Sequence, residues 1–378
     1  MFYFFLFALT AIIFFIAQKV EQKSLLGFYS LSLIAVGILA FVAGCRDNTI
    51  GVDIYVYGLD TFNLAKSAPD FWSGAKESRR ELIYYAINYF ASIWSSKIGF
   101  SFFCQNFTQT LLVFLGLKHY IKQIPLWLSM LLYELYFYNL TLNLMCQGIA
   151  IGLMIFSLQF IEKRQFKKLA ICALICFFIH KTSIIAYFTY FIIIWVMGKE
   201  PEKRVKYITL CIVSCIIGLV GFIQLLKLAS SIPGLEHFVM YGGEPGKRSG
   251  GFNGNLPGTD IAIRLSMVLF VLLLNRFNSA DKYTLHLFSL IVTIDLFSLF
   301  IGKFAYFATR LSYYFWALDM VLFLKLVLST KLQARSSYAI CASFVLVVFY
   351  CFVKWDIIMD YPSTYPYTSE FLNITASD

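Results

Sequence analysis

Charge is scarce in this chain. Asp, Glu, Lys and Arg make up 14% of its 378 residues, while 60% are hydrophobic and the mean hydropathy is +0.74. A soluble domain carries about a quarter charged residues and is less than half apolar. A surplus of apolar surface on this scale finds no room inside a globule, so no soluble domain of ordinary size fits. Motifs for metals and nucleotides are equally lacking: there is no CxxC and no HExxH. The glycine-rich stretch at 242–251 (GGEPGKRSGG) is no phosphate loop, because Lys247 is followed by Arg248 and no strand precedes it. The nine cysteines include Cys172/Cys176 and Cys211/Cys215, spaced four apart on apolar runs as helix-core residues are. Neither a metal nor a cofactor is called for.

What is present is long, continuous apolar sequence. In lipid the backbone must bond within its own element, which leaves helices or closed barrels. Runs without period-two alternation choose helices. The reading is therefore an all-α, polytopic integral membrane protein, a single membrane domain over 1–378. About 20 residues cross a bilayer core of about 30 Å. Runs of that size lie near 2–18, 25–44, 101–118, 124–141, 145–161, 205–228, 260–275, 283–302, 306–328 and 336–353. The first lacks a basic n-region and a small-residue cleavage site, so it counts as a span and not a signal peptide. Between 167 and 197 the apolar run is interrupted by His180-Lys181, and Leu169–Ile179 is too short to cross. Residues 81–98 are aromatic and amphipathic, and are expected to lie in the outer interface. The expectation is about twelve crossings.

The net charge of +10 does not point to nucleic acid, because most cations sit in short membrane-flanking turns. Those at 118–122, 163–168, 199–206, 276–282 and 325–335, with Lys19 and Lys23, orient the chain by the positive-inside rule. Residues 45–80 and 229–259, and the tail 354–378, then fall outside the cytoplasm. On that same face gather five polar clusters. The first loop holds Arg46, Asp53 and Tyr57 and closes with Arg79, Arg80 and Glu81; Asn143 and Gln147 stand four apart, hence on one helix face. His180-Lys181, Lys247-Arg248, and Arg310 with Tyr313 and Tyr314 complete the set. Each residue alone has a bland reading as a solvated charge, an interfacial anchor or a structural histidine. Together they offer guanidinium forks for phosphate oxygens, aromatic faces for sugar rings, and carboxylates and an imidazole for proton transfer.

Arg46-x4-Gly51-x-Asp53-x3-Tyr57, Glu81, Asn143-Leu-Met-Cys-Gln147-Gly-Ile-Ala, Phe178-Ile-His180-Lys-Thr-Ser-Ile-Ile and Arg310-Leu-Ser-Tyr-Tyr-Phe follow one another along the chain, which ends near Tyr365-Pro366-Tyr367. This series resembles the EpsG family of Wzy-like polymerases of O-antigen and other bacterial surface polysaccharides. One position departs from it: members of the family commonly carry Arg before the Gln of the third motif, where this chain has Cys146. The resemblance implies a glycosyltransferase in the inner membrane, facing the periplasm. Its substrates would be undecaprenyl-pyrophosphate-linked oligosaccharides, with a chain-length regulator as a candidate partner. It further implies that Arg46, Arg310 and Arg248 offset charge on the departing pyrophosphate and that His180 or Asp53 is the base. Glu81, Asn143, Gln147, Lys181, Tyr57 and Tyr313 would hold the substrate. A lipid-oligosaccharide flippase or other transporter, for which intramembrane Asp295 and Asp319 speak, and an O-antigen ligase are the alternatives.

Overall fold

A computed structural model describes residues 1–211, 213–214, 217, 258–276, 281–302, 306–330 and 333–376. Among them there is no strand, only an isolated antiparallel bridge between Ser369 and Ile374. The helices are α1 (Phe2–Glu21), α2 (Leu25–Cys45), α3 (Leu59–Ser67), α4 (Phe71–Ser78), α5 (Leu82–Trp94), α6 (Gly99–Lys118), α7 (Leu126–Tyr133), α8 (Asn139–Asn143), α9 (Met145–Glu162), α10 (Phe166–Ile179), α11 (Ser183–Met197), α12 (Gly258–Arg276), α13 (Lys282–Gly302), α14 (Tyr306–Ser329) and α15 (Ala334–Phe352). Wider π turns sit at Ile54–Gly58, Glu134–Tyr138 and Val353–Ile358.

Seven helices among the described residues are long and apolar enough to cross a membrane: α1, α2, α6, α9, most of α13 and α14, and α15 with its π extension. They coincide with seven of the expected spans. The expected span 124–141 is built from three contiguous pieces, α7, the π turn and α8. The run 260–275 is α12, and 205–228 lies largely outside the described residues. At 13 residues, α5 reaches about 20 Å, well short of a bilayer core. The loop 45–80 is largely helical, carrying α3 and α4. Helix α4 is started by Asp70, whose carboxylate accepts from the Trp72 and Ser73 N–H groups.

The chain forms two compact units, residues 1–184 with 338–378, and residues 185–337. In the first, α9 is the central helix, 83% buried against 33% for α1. It can approach α6 closely because a Cβ at Gly116 would stand 2.8 Å from the Ile155 backbone and one at Gly152 2.7 Å from the Gln109 carbonyl. Small residues at such crossings let membrane helices gain dispersion contact where no hydrophobic force drives them together. The end of the chain returns to the start. Tyr367 donates to the Val42 carbonyl (2.9 Å), Ser369 to that of Cys45 (2.5 Å), and the Gly51 N–H to that of Ser363 (2.7 Å).

In the second unit, α12, α13 and α14 meet at a buried ionic cluster. Arg264 Nε donates to Asp295 Oδ2 (2.5 Å), Ser312 donates to Asp295 Oδ1 (2.5 Å), and the guanidinium lies 4.1 Å from the Trp316 ring centre. Asp319 is buried beside Asp295. Asp295 therefore serves interhelical hydrogen bonding, the bland reading of an intramembrane carboxyl, while the Asp319 carboxyl is buried without a hydrogen-bond partner among the described residues. Arg264 was not anticipated, although an arginine inside the apolar run 260–275 is a readable signal.

Candidate functional site

The segment after α2 is fixed from two sides. Arg46 ends the helix in extended conformation, is buried, and donates from Nη1 to the Leu142 carbonyl at 2.7 Å, with Phe102 beneath its guanidinium at 4.2 Å. Burial lowers its pKa to about 10, so it stays charged at neutral pH. It borders a crevice lined by Gln105, Asn106, Gln109 and Thr141 whose free space, about 10 Å³, is that of a single water. Gly51 has φ +96°, open to glycine but not to other residues without strain, and a Cβ there would stand 3.2 Å from the Asn143 Cα. That close approach lets Asn143 Oδ1 accept the Asp53 N–H at 2.9 Å. Tyr57, one helical turn beyond, donates to Asp53 Oδ2 at 3.2 Å.

Asn143 and Gln147 do not share one helix face. Leu144 has φ −84° and ψ 60°, so α8 ends at Asn143 and α9 begins at Met145. The Leu142 carbonyl at this break accepts from Arg46, and the Asn143 side chain beside it accepts the Asp53 N–H. Gln147 is buried in the first turn of α9.

Glu81 and His180 are brought together from opposite ends of α5 and α10. Glu81 is the N-cap residue of α5, and His180 caps the C-terminus of α10 with extended backbone. Glu81 Oε1 stands 3.7 Å from His180 Nδ1, both side chains about one-fifth exposed. Burial pushes the Glu81 carboxyl up, but His180 and nearby backbone N–H groups outweigh it and hold it below its usual 4.5. The residue is an anion at neutral pH. Its neighbour Arg80 lies over the Tyr57 ring at 4.8 Å, and Tyr57 meets Tyr84 of α5 edge to face. Cys146 is the link between the two halves: it is buried, touches Tyr57, and has Glu81, Asp53 and Arg80 as charged neighbours. Lys181 is exposed next to His180.

Arg46, Asp53, Tyr57, Glu81, Asn143 and His180, drawn from four separate stretches of sequence, thus share one end of the first unit. The EpsG family model matches residues 29–369. The chain belongs to the EpsG family. That family is of Wzy-like polymerase type, and the match spans both units. No curated protein and no solved structure matches. Within this EpsG chain Arg310 and Tyr313 stand on α14 of the second unit, Arg310 half-buried. Arg248 and the expected loop 229–259 lie outside the described residues. Arg80 was noted in the sequence only as the end of a loop, and its contact with Tyr57 depends on α4 and α5 folding back over the π turn. Among the described residues, no group of three His, Cys, Asp or Glu side chains is placed to hold a metal ion.

Proposed function

We propose that this chain polymerises a bacterial surface glycan, O-antigen or a relative, by joining undecaprenyl-pyrophosphate-linked repeat units at the periplasmic face of the inner membrane. The observation that carries the reading is the convergence of four of the family's five separated motifs on one polar site, with an anionic Glu81 against His180 Nδ1. The proposed topology has about twelve crossings, with 45–80, 229–259 and the tail on the periplasmic side.

In this scheme Glu81 keeps the proton on Nδ1 of His180, and Nε2 is the base. Nε2 takes the proton of an acceptor sugar hydroxyl as its oxygen bonds to the donor's anomeric carbon. The bond from that carbon to the pyrophosphate breaks, and the electron pair leaves with the phosphate oxygen. Arg310, Arg248 and Lys181 are the proposed cations for the charge that develops there, in a site where preorganised charge is worth most. Arg46 supplies its charge from beneath. Asp53, Tyr57, Asn143 and Gln147 would orient sugar hydroxyls.

The test is the banding of surface polysaccharide in a strain lacking the gene. A single repeat unit on its acceptor with the ladder gone supports polymerisation. Total loss of repeat units would point to export or ligation, and an unchanged ladder would end the proposal.

A further inference from the structure

Helix α5 has two unlike faces. Tyr84, Tyr85, Asn88 and Ala91 are buried in the first unit. Beside them Ile83, Ile87, Phe90 and Trp94, at helical spacing, form one wall of an open groove whose other wall is Phe100 and Cys104 of α6. The groove encloses about 370 Å³ and its lining is wholly apolar. From Ile83 to Trp94 it runs about 16 Å at 1.5 Å per residue.

The groove's head end is not apolar. Ile83 lies three residues after Arg80 and two after the N-cap Glu81. Arg80 is exposed, its guanidinium is held over Tyr57, and no carboxylate lies within ion-pair distance of it among the described residues. A planar guanidinium steadied by a ring is a ready fork for phosphate oxygens. The first turn of α5 adds its own partial positive charge at the same end. Arg46 is a poorer candidate for direct contact, because it is buried, with Nη1 on the Leu142 carbonyl and its face against Phe102.

An apolar channel with a fixed cation at one end complements an amphiphile with a long hydrocarbon chain and an anionic head. We propose that the α5–α6 groove seats the isoprene units nearest the head of the lipid-linked substrate, and that Arg80 binds its pyrophosphate. This rests on the polymerase reading, which supplies the isoprenoid pyrophosphate as the ligand. A surface that merely faces bulk lipid would need no cation at its end and would not distinguish a pyrophosphate from an alcohol.

The test uses the full-length protein in nanodiscs and geranylgeranyl pyrophosphate bearing a diazirine on its chain, with labelled peptides mapped by mass spectrometry. Labelling is expected within 82–104, and at least about tenfold weaker for the corresponding diazirine alcohol. Ala86→Trp, which fills the groove, Phe90→Glu, at an exposed position, and Arg80→Ala should each cut labelling by about tenfold at equal thermal stability. Equal labelling by the alcohol, labelling only elsewhere, or full labelling of Ala86→Trp and Phe90→Glu would overturn the site. If the groove labels as expected while the deletion strain keeps its ladder, the polymerase reading fails and the site stands. If the ladder is lost and the groove stays unlabelled, only the site fails.

Discussion

Glu81 Oε1 and His180 Nδ1 stand 3.7 Å apart, joining the N-cap of one helix to the C-cap of another. At that separation the contact is electrostatic and not a tight hydrogen bond, and its value depends on Glu81 carrying charge. The folded carboxyl titrates below its ordinary 4.5. A depressed folded pKa means stability that is fully present above 4.5 and lost as pH falls through the lower folded value. The stability gap between wild type and Glu81→Gln should therefore be fully present above 4.5 and close as pH falls through the lower folded value. Thermal unfolding across pH 3–7 checks this, and a gap that is constant with pH would contradict it. Polymerisation by His180→Ala should fall by about 10²–10⁴, with the protein still folded.

Arg46 has a different expected signature. It is buried, it holds the carbonyl exposed by the α8–α9 break, and Phe102 lies beneath it. Arg46→Ala should cost on the order of 2–4 kcal/mol in stability, read as a lower melting point in detergent. Arg46→Lys should restore charge without restoring stability, because an ammonium lacks the flat fork that both bonds Leu142 and stacks. Full rescue by Lys would show that charge alone matters there.

The tail is part of the site's floor. Residues 363–370 bond α2's last turn and the segment carrying Asp47 and Gly51. A chain ending at Met359 should insert in the membrane at normal level yet lose polymerisation. Tyr367→Phe, which removes the bond to the Val42 carbonyl, should cost about 1 kcal/mol. A truncated chain with a normal ladder would refute the role.

The buried Arg264–Asp295 pair predicts non-additivity. Asp295→Leu removes the shorter of two carboxylate contacts of a buried guanidinium, leaving Asp260 at 3.6 Å, and should cost on the order of 3 kcal/mol, while Arg264→Leu/Asp295→Leu together should cost markedly less. A double variant as unstable as the sum of the two single ones would rule out direct coupling.

Much of this was legible in the order of residues. Hydropathy gave the helical membrane class, because a backbone in lipid has almost no other solution. The two polar residues His180-Lys181 marked the true break between α10 and α11, since a charge in an apolar run is costly unless the helix ends there. The motif series was readable because its spacing is linear and needs no fold. Periodicity failed at Asn143 and Gln147: spacing of four predicts a shared face only if the helix is continuous, and the turn at Leu144 is sustained by partners distant in sequence.

What the sequence determined by itself is therefore what local free energy decides: which segments are helical, which tolerate lipid, and where polarity interrupts them. Tertiary structure alone decided that Arg46 is spent on a carbonyl, that Glu81 meets His180, that Arg80 lies over Tyr57, and that the tail closes on Gly51. Each of these is a contact between segments far apart in the chain. Its energy depends on which helices pack together, and no spacing along one segment records that choice.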